Sequence, residues 1–159
     1  MRSVHHAIAT FCGLGHAPFA SGTWGTAGAV VVVLLLGQVL PGDPPWLYLP
    51  VVLGLAAFLF AIGIPAASWA EGEYGRKDPS ECVVDEVVGY LLAVAWISPP
   101  GWSAALIAFF AFRATDVLKI YPSNKLEELP GGWGILLDDV VAGLYALVVM
   151  VPVRLFVTG

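Results

Sequence analysis

Between Trp46 and Ala70 the chain reads WLYLPVVLGLAAFLFAIGIPAASWA, an apolar run without one charged residue. It exceeds the ~20 residues that a helix needs to cross the hydrocarbon core of a bilayer. A soluble domain would have to bury the whole run, and the surface to do so is missing. Of the 159 residues, 58% are hydrophobic and 12% charged, against about 25% charged in ordinary soluble domains. With a mean hydropathy of +0.84, the chain is expected to have the bilayer as its solvent.

Other apolar runs occupy Ala27 to Leu40, Val87 to Ile97, Trp102 to Phe112 and Val140 to Val153. Flanking residues extend three segments, Gly22 to Leu40, Cys82 to Ile97 and Gly101 to Leu118, to about 24 to 28 Å at 1.5 Å per residue. Ser98-Pro99-Pro100-Gly101 must break a helix, because proline cannot continue one and glycine permits the reversal. The predicted fold is all-α: a polytopic membrane bundle of four to five helical segments, with a short hairpin around Ser98 to Gly101. Nothing in the composition marks a boundary, so residues 1–159 are read as a single membrane-embedded domain. The N-terminal stretch lacks the continuous apolar core and cleavage site of a removable signal, so the first apolar run is expected to serve as the membrane address.

Arg2, Arg76, Lys77, Arg113, Lys119 and Lys125 fall at one set of segment ends, while the connections at Pro41 to Pro45 and Ser98 to Gly101 carry no base. The positive-inside rule assigns the basic ends to the cytoplasm, with Arg154 dissenting. The acids gather between Glu71 and Asp139, at the same ends. A net charge of -5 argues against nucleic acid as a partner, since phosphate neutralisation needs basic surfaces.

Two acidic pairs head apolar runs in the same way: Asp85-Glu86-Val87-Val88-Gly89 and Asp138-Asp139-Val140-Val141-Ala142-Gly143. Ionisable groups at the edge of a membrane helix are costly unless hydrated, paired or metal-bound. Neighbouring helical residues point about 100° apart, so one acid of each pair can face inward. Glycines three to four residues later permit close helix packing. Two such mouths side by side offer carboxylates to one cation. The absence of a His or Cys ligand spacing favours a hard ion such as Mg2+ over zinc.

Arg113 and Asp116 share a helical face at i and i+3. They form either a local ion pair or, with the mobile charge of Lys119, a phosphate clamp and a further ligand. The glycine-rich stretch from Gly13 to Gly28 has two readings as well. Gly22, Gly25 and Gly28 can serve packing, or a helix start at Ser21 or Gly22, with the Thr23 and Thr26 hydroxyls, can bind phosphate. It is not a P-loop, because no Gly-Lys-Ser/Thr closes it. Cys12 and Cys82 are read as buried thiols, and His5, His6 and His16 as surface or packing residues. Neither cysteine begins a Cys-x5-Arg loop, and the Asp-x-Asp-x-Thr/Val and Ser-Gly-His signatures of other phosphotransfer enzymes are missing.

In order along the chain, Pro18, Gly22-Thr23-Trp24-Gly25-Thr26, Lys77-Asp78, Asp85-Glu86 with Gly89, Phe112-Arg113 with Asp116 and Lys119, and Gly131-Gly132 with Gly134-Ile135, Asp138-Asp139 and Gly143 resemble the bacterial phosphatidylglycerophosphatase A family. Ser21 and Pro130 stand where members often carry proline and histidine. The resemblance implies a small helical membrane enzyme that uses Mg2+ to hydrolyse phosphatidylglycerophosphate to phosphatidylglycerol. On that reading Asp85, Glu86, Asp138 and Asp139, with Asp116, are the metal-binding and catalytic candidates. Arg113, Lys119, Lys77, Thr23 and Thr26 are the candidates for holding phosphate. The expected location is the bacterial inner membrane, with the site on its cytoplasmic face. The rival reading is a cation carrier or channel, which would need its charges near the bilayer midplane.

Overall fold

The computed structural model describes residues 2–40 and 44–156, so the predicted Pro41 to Pro45 break lies partly outside the described residues. The described residues form helices α1 (Arg2–Ala9), α2 (Ser21–Val39), α3 (Tyr48–Tyr74), α4 (Val84–Ala93), α5 (Trp102–Leu118), α6 (Ser123–Leu126) and α7 (Gly132–Phe156), with no strand among them. α2, α3 and α7 are long and apolar enough to cross a membrane. α4 and α5 form the expected hairpin around Ser98 to Gly101.

α4 is the shortest of the five main helices and the most enclosed. It packs against α2, α3, α5 and α7, and eight of its ten residues are buried, Asp85 among them. Its sequence is accordingly apolar around nearly the whole circumference. A Cβ on Gly143 would run into the Gly89 carbonyl, and one on Gly89 would meet the Phe112 ring and stand 2.8 Å from the Asp139 carbonyl. α4 and α7 therefore touch backbone to backbone. Polar side chains lock the remaining contacts: the Tyr90 hydroxyl donates to the Ala105 carbonyl (2.9 Å), and the Thr115 hydroxyl reaches the Ala142 carbonyl (2.9 Å).

Two differences from the sequence reading matter. α7 starts at Gly132, well before the apolar run at Val140, so Asp138 and Asp139 lie about two turns inside a helix rather than at its head. Pro130 and Gly131 end the preceding stretch, and the Gly132 amide finds its acceptor on α3, in the Ser68 hydroxyl at 2.8 Å. An apolar run marks where a helix meets lipid, whereas the first two turns of α7 face protein. α1, whose polar sequence covers one side of α3, and the single turn α6 lie outside the apolar runs and carry no hydropathy signal.

The opposite end of the bundle is closed by Arg154. Its guanidinium donates to the Ser98 carbonyl (2.7 Å) and hydroxyl (3.0 Å), pinning α7 to the hairpin turn, while Gly37 of α2 admits Pro99 at the same level. Hence the dissenting base is engaged by carbonyls at the end away from the other bases.

Gly143→Ala should cost about 1–3 kcal/mol of stability by forcing α4 and α7 apart. Gly54→Ala, at a position where an added Cβ meets nothing within 4 Å among the described residues, should shift stability by no more than about 1 kcal/mol, in the stabilising direction. Thermal unfolding of the two variants in detergent makes the comparison.

Candidate functional site

The adjoining ends of α2, α4, α5 and α7 enclose a polar cavity of about 460 Å³. Asp78, Asp85, Glu86, Asp116, Asp138 and Asp139 contribute to its wall, together with two bases, Arg113 and Lys119. The segment 17–22 that leads into α2 completes one side, with Ser80, Cys82 and Val117 on the others.

The acids fall into two groups. In the first, Asp85 and Glu86 from the opening turn of α4 meet Asp139 of α7, and one oxygen from each lies within 4.8 Å of the others. Asp85 Oδ1, Glu86 Oε2 and Asp139 Oδ2 are buried without a hydrogen-bond partner among the described residues. Two like charges 4 Å apart repel by about 4 kcal/mol at an effective dielectric constant of ~20. Each unpaired buried oxygen adds a desolvation cost of roughly 1–3 kcal/mol. A cation at the centre of the three would relieve both penalties. An all-oxygen donor set of this span fits a hard divalent ion, whose ligands stand at roughly 2.0–2.6 Å.

Arg113 borders this group. Its NH1 lies 2.6 Å from Asp116 Oδ2 and 3.9 Å from Glu86 Oε1, so the pair along α5 also reaches across to α4. α2 approaches so closely that a Cβ on Gly22 would strike the Glu86 carboxylate and stand 3.1 Å from Arg113 NH1. Glycine thus lets the N-terminal turn of α2, the positive end of its dipole, stand beside the acids.

The second group centres on Lys119, whose Nζ is 2.8 Å from Glu127 Oε1 and 3.3 Å from Asp138 Oδ2. Partial burial works against the ammonium charge, but the hydrogen bond to Glu127 and the charge of Asp138 outweigh it and raise the lysine above its ordinary pKa. Adjacent Asp138 and Asp139 both face inward, 6% and 3% exposed, one toward Lys119 and the other toward α4. Ala20, Asp78 and Lys119, three of the five non-glycine residues with positive φ among the described residues, all line the cavity. Backbone strain, on the order of 1–3 kcal/mol per such residue, is concentrated in this wall.

Of the residues singled out by sequence, Asp85, Glu86, Asp116, Asp138, Asp139, Arg113 and Lys119 are brought together here. Thr23 and Thr26 are not part of the wall. Thr26 is fully buried, and its hydroxyl donates to the Gly22 carbonyl at 2.9 Å. Lys77 lies in a neighbouring exposed groove with Glu71, Arg76 and Gly131. His6 and His16 meet at 2.8 Å, with Trp69 beside His6, outside the wall. Cys82 belongs to the wall, but burial, then the charges of Asp85 and Glu86, push its thiol well above its ordinary pKa, which makes it a poor nucleophile.

Sequence reasoning assigned no site role to Asp78, Ser80 or Glu127. For Asp78 a signal was present, an Asp-Pro step beside Lys77 in a short stretch between two apolar helices. Glu127 carried none, because its partner Lys119 is reached only through the turn at α6.

The family profile described as Phosphatidylglycerophosphatase A matches residues 7–154. A Haemophilus influenzae protein named Phosphatidylglycerophosphatase A is 33% identical over 151 residues, covering 94% of this chain and 88% of its own. The Escherichia coli K12 protein of the same name is 29% identical over 147 residues, covering 91% of this chain and 80% of its own. A Bacteroides thetaiotaomicron protein, provisionally named a phosphatidylinositol-3-phosphatase, is 39% identical over 152 residues, covering 92% of this chain and 91% of its own. No solved structure matches the chain.

A divalent cation should stabilise the detergent-solubilised protein, by about 2.7 kcal/mol at a hundredfold excess over its Kd. Asp139→Asn should lose most of that increment. In chelator the same substitution has the opposite sign, because it relieves a crowded group of three largely buried carboxyls and so raises the melting temperature. An unchanged cation response in the variant would remove Asp139 from the ligand set.

Proposed function

This chain belongs to the phosphatidylglycerophosphatase A family, and we propose that it hydrolyses phosphatidylglycerophosphate to phosphatidylglycerol and inorganic phosphate in a Mg2+-dependent reaction. The observation that carries the reading is the charge of the cavity: among the described residues, six carboxylates and two bases line it. Such a wall repels a phosphate dianion unless a cation is present, and the unpartnered oxygens of Asp85, Glu86 and Asp139 are the groups that would hold it.

Mg2+ typically takes few protein carboxylates and leaves positions for water and phosphate, which accords with three ligands facing an open space. When bound, the ion supplies charge neutralisation at the phosphoryl oxygens and a polarised water. Arg113 binds the phosphoryl oxygens through its planar fork, and Asp116 fixes the orientation of that fork. Lys119 offers a second positive charge toward the equatorial oxygens, where a loose transition state accumulates charge. Asp138 accepts a proton from the attacking water on Oδ1, the oxygen not engaged by Lys119, and returns it to the departing glycerol oxygen. One P–O bond forms, one breaks, and the enzyme ends as it began. Lys77, Thr23 and Thr26 are left outside this assignment.

We further propose that the whole chain, 1–159, acts as one domain in the bacterial inner membrane with the cavity at the cytoplasmic face. The bases near the cavity end favour that orientation. A phospholipid keeps its tails in the bilayer and offers its phosphomonoester at headgroup level, where the cavity lies. A carrier would need carboxylates along the bundle, whereas these gather at one end.

Purified protein should release phosphate from phosphatidylglycerophosphate with Mg2+ and not with chelator. Asp139→Asn should lower kcat on the order of a hundredfold or more, and Arg113→Lys should lower kcat/KM by about tenfold or more. Phosphatidylinositol 3-phosphate is the informative competitor. Faster turnover of that lipid would move the substrate assignment toward the name of the Bacteroides relative. No metal-dependent release from either lipid by well-folded protein would overturn the proposed reaction.

Cys12 is exposed and not buried as the sequence suggests; with it replaced by serine, a cysteine at Gly101 should react with a membrane-impermeant thiol reagent on intact cells, and one at Asn124 only after lysis. The reverse pattern would invert the orientation.

A further inference from the structure

The cavity wall includes two apolar side chains that are largely exposed, Phe19 at 69% and Val117 at 71%. Val117 belongs to a row on α5, because Leu106, Phe110, Arg113 and Val117 recur at i, i+4, i+7 and i+11, the spacing of one helix face. Leu106 and Phe110 are 50% and 68% exposed, whereas Arg113 turns its guanidinium to Asp116 and Glu86. α5 runs toward the cavity from the hairpin turn. From Arg113 the row therefore descends through Phe110 to Leu106, away from the headgroup level, over roughly 10 Å at 1.5 Å per residue. At the mouth Phe19 packs edge-on against Trp24, ring centroids 6.4 Å apart, which holds an apolar side chain at the rim. A soluble phosphomonoester gains nothing from such a rim, whereas a lipid needs a continuous apolar path to bring its phosphate to Arg113.

We propose that Leu106 and Phe110 form the track on which an acyl chain of the substrate lies while its phosphate meets Arg113, with Phe19 and Val117 at the entrance. The inference rests on the lipid-phosphatase reading of the cavity and adds to it the surface that distinguishes long chains from short ones. A second apolar surface competes for the role, a groove of about 360 Å³ between α3, α4 and α7 that includes Leu53, Phe60 and Leu137. On α7, Leu137 and Asp139 point about 160° apart at 100° per residue, so a chain seated there would carry its phosphate away from the acids.

The test compares kcat/KM for dihexanoyl and dipalmitoyl phosphatidylglycerophosphate in mixed micelles with Mg2+. Three proteins are measured: the parent, the Leu106→Ala/Phe110→Ala variant and the Leu53→Ala/Phe60→Ala variant. The α5 variant should lose about tenfold on the long-chain lipid and stay within about twofold on the short-chain one. The groove variant should keep the parent's long-to-short ratio. The short-chain value also reports whether fold and chemistry survive substitution. An unchanged ratio in the α5 variant, or a loss of long-chain preference confined to the groove variant, overturns the track while leaving the phosphatase reading intact. A parent protein that hydrolyses neither lipid overturns that reading and the track with it.

Discussion

Backbone contact between α4 and α7 is the constraint on which the site depends. Gly89 and Gly143 each stand four residues after an acid, Asp85 and Asp139 respectively, so the crossing that joins the two glycines also brings the two acids together one turn away. The packing is favourable and the electrostatics are not. Dense contact along α4 holds the carboxylates at a separation that their charges oppose. Ordinary membrane proteins avoid such concentrations of unpaired charge, which makes this one legible as chemistry rather than architecture.

The two bases divide the work of containing this charge. Arg113 faces the α4 group through Asp116 and Glu86, and Lys119 faces Asp138 and Glu127. Each contacts acids from more than one element, so the cavity wall behaves as a connected network and not as isolated pairs. Its segments adopt costly backbone conformations at Ala20, Asp78 and Lys119, a cost that the packed helices around them can bear.

Much of this was readable from the chain. The acidic pairs followed by glycines announced both the close crossing and the carboxylate cluster, and Ser98-Pro99-Pro100-Gly101 announced the hairpin, because these features act through local stereochemistry. The start of α7 was not readable from hydropathy, since its first turns are set by contact with α3 and not by lipid. Nor was the fate of Thr23, Thr26 and Lys77. All three lie in the right sequence neighbourhood, but the rotation of α2 and the path between α3 and α4 depend on tertiary packing. Asp78 and Lys77 are adjacent residues that line different cavities, and only the fold separates them.

The contact between Arg154 and the hairpin turn bears on biosynthesis. During translation the α4–α5 hairpin emerges well before α7, carrying Asp85 and Glu86 without their complement, and it remains unpinned at Ser98 until Arg154 follows. The same late helix delivers Asp138 and Asp139. Completion of the carboxylate cluster and anchoring of the hairpin are therefore a single assembly event, and a nascent chain lacking α7 has neither the assembled carboxylates nor a fixed scaffold for them.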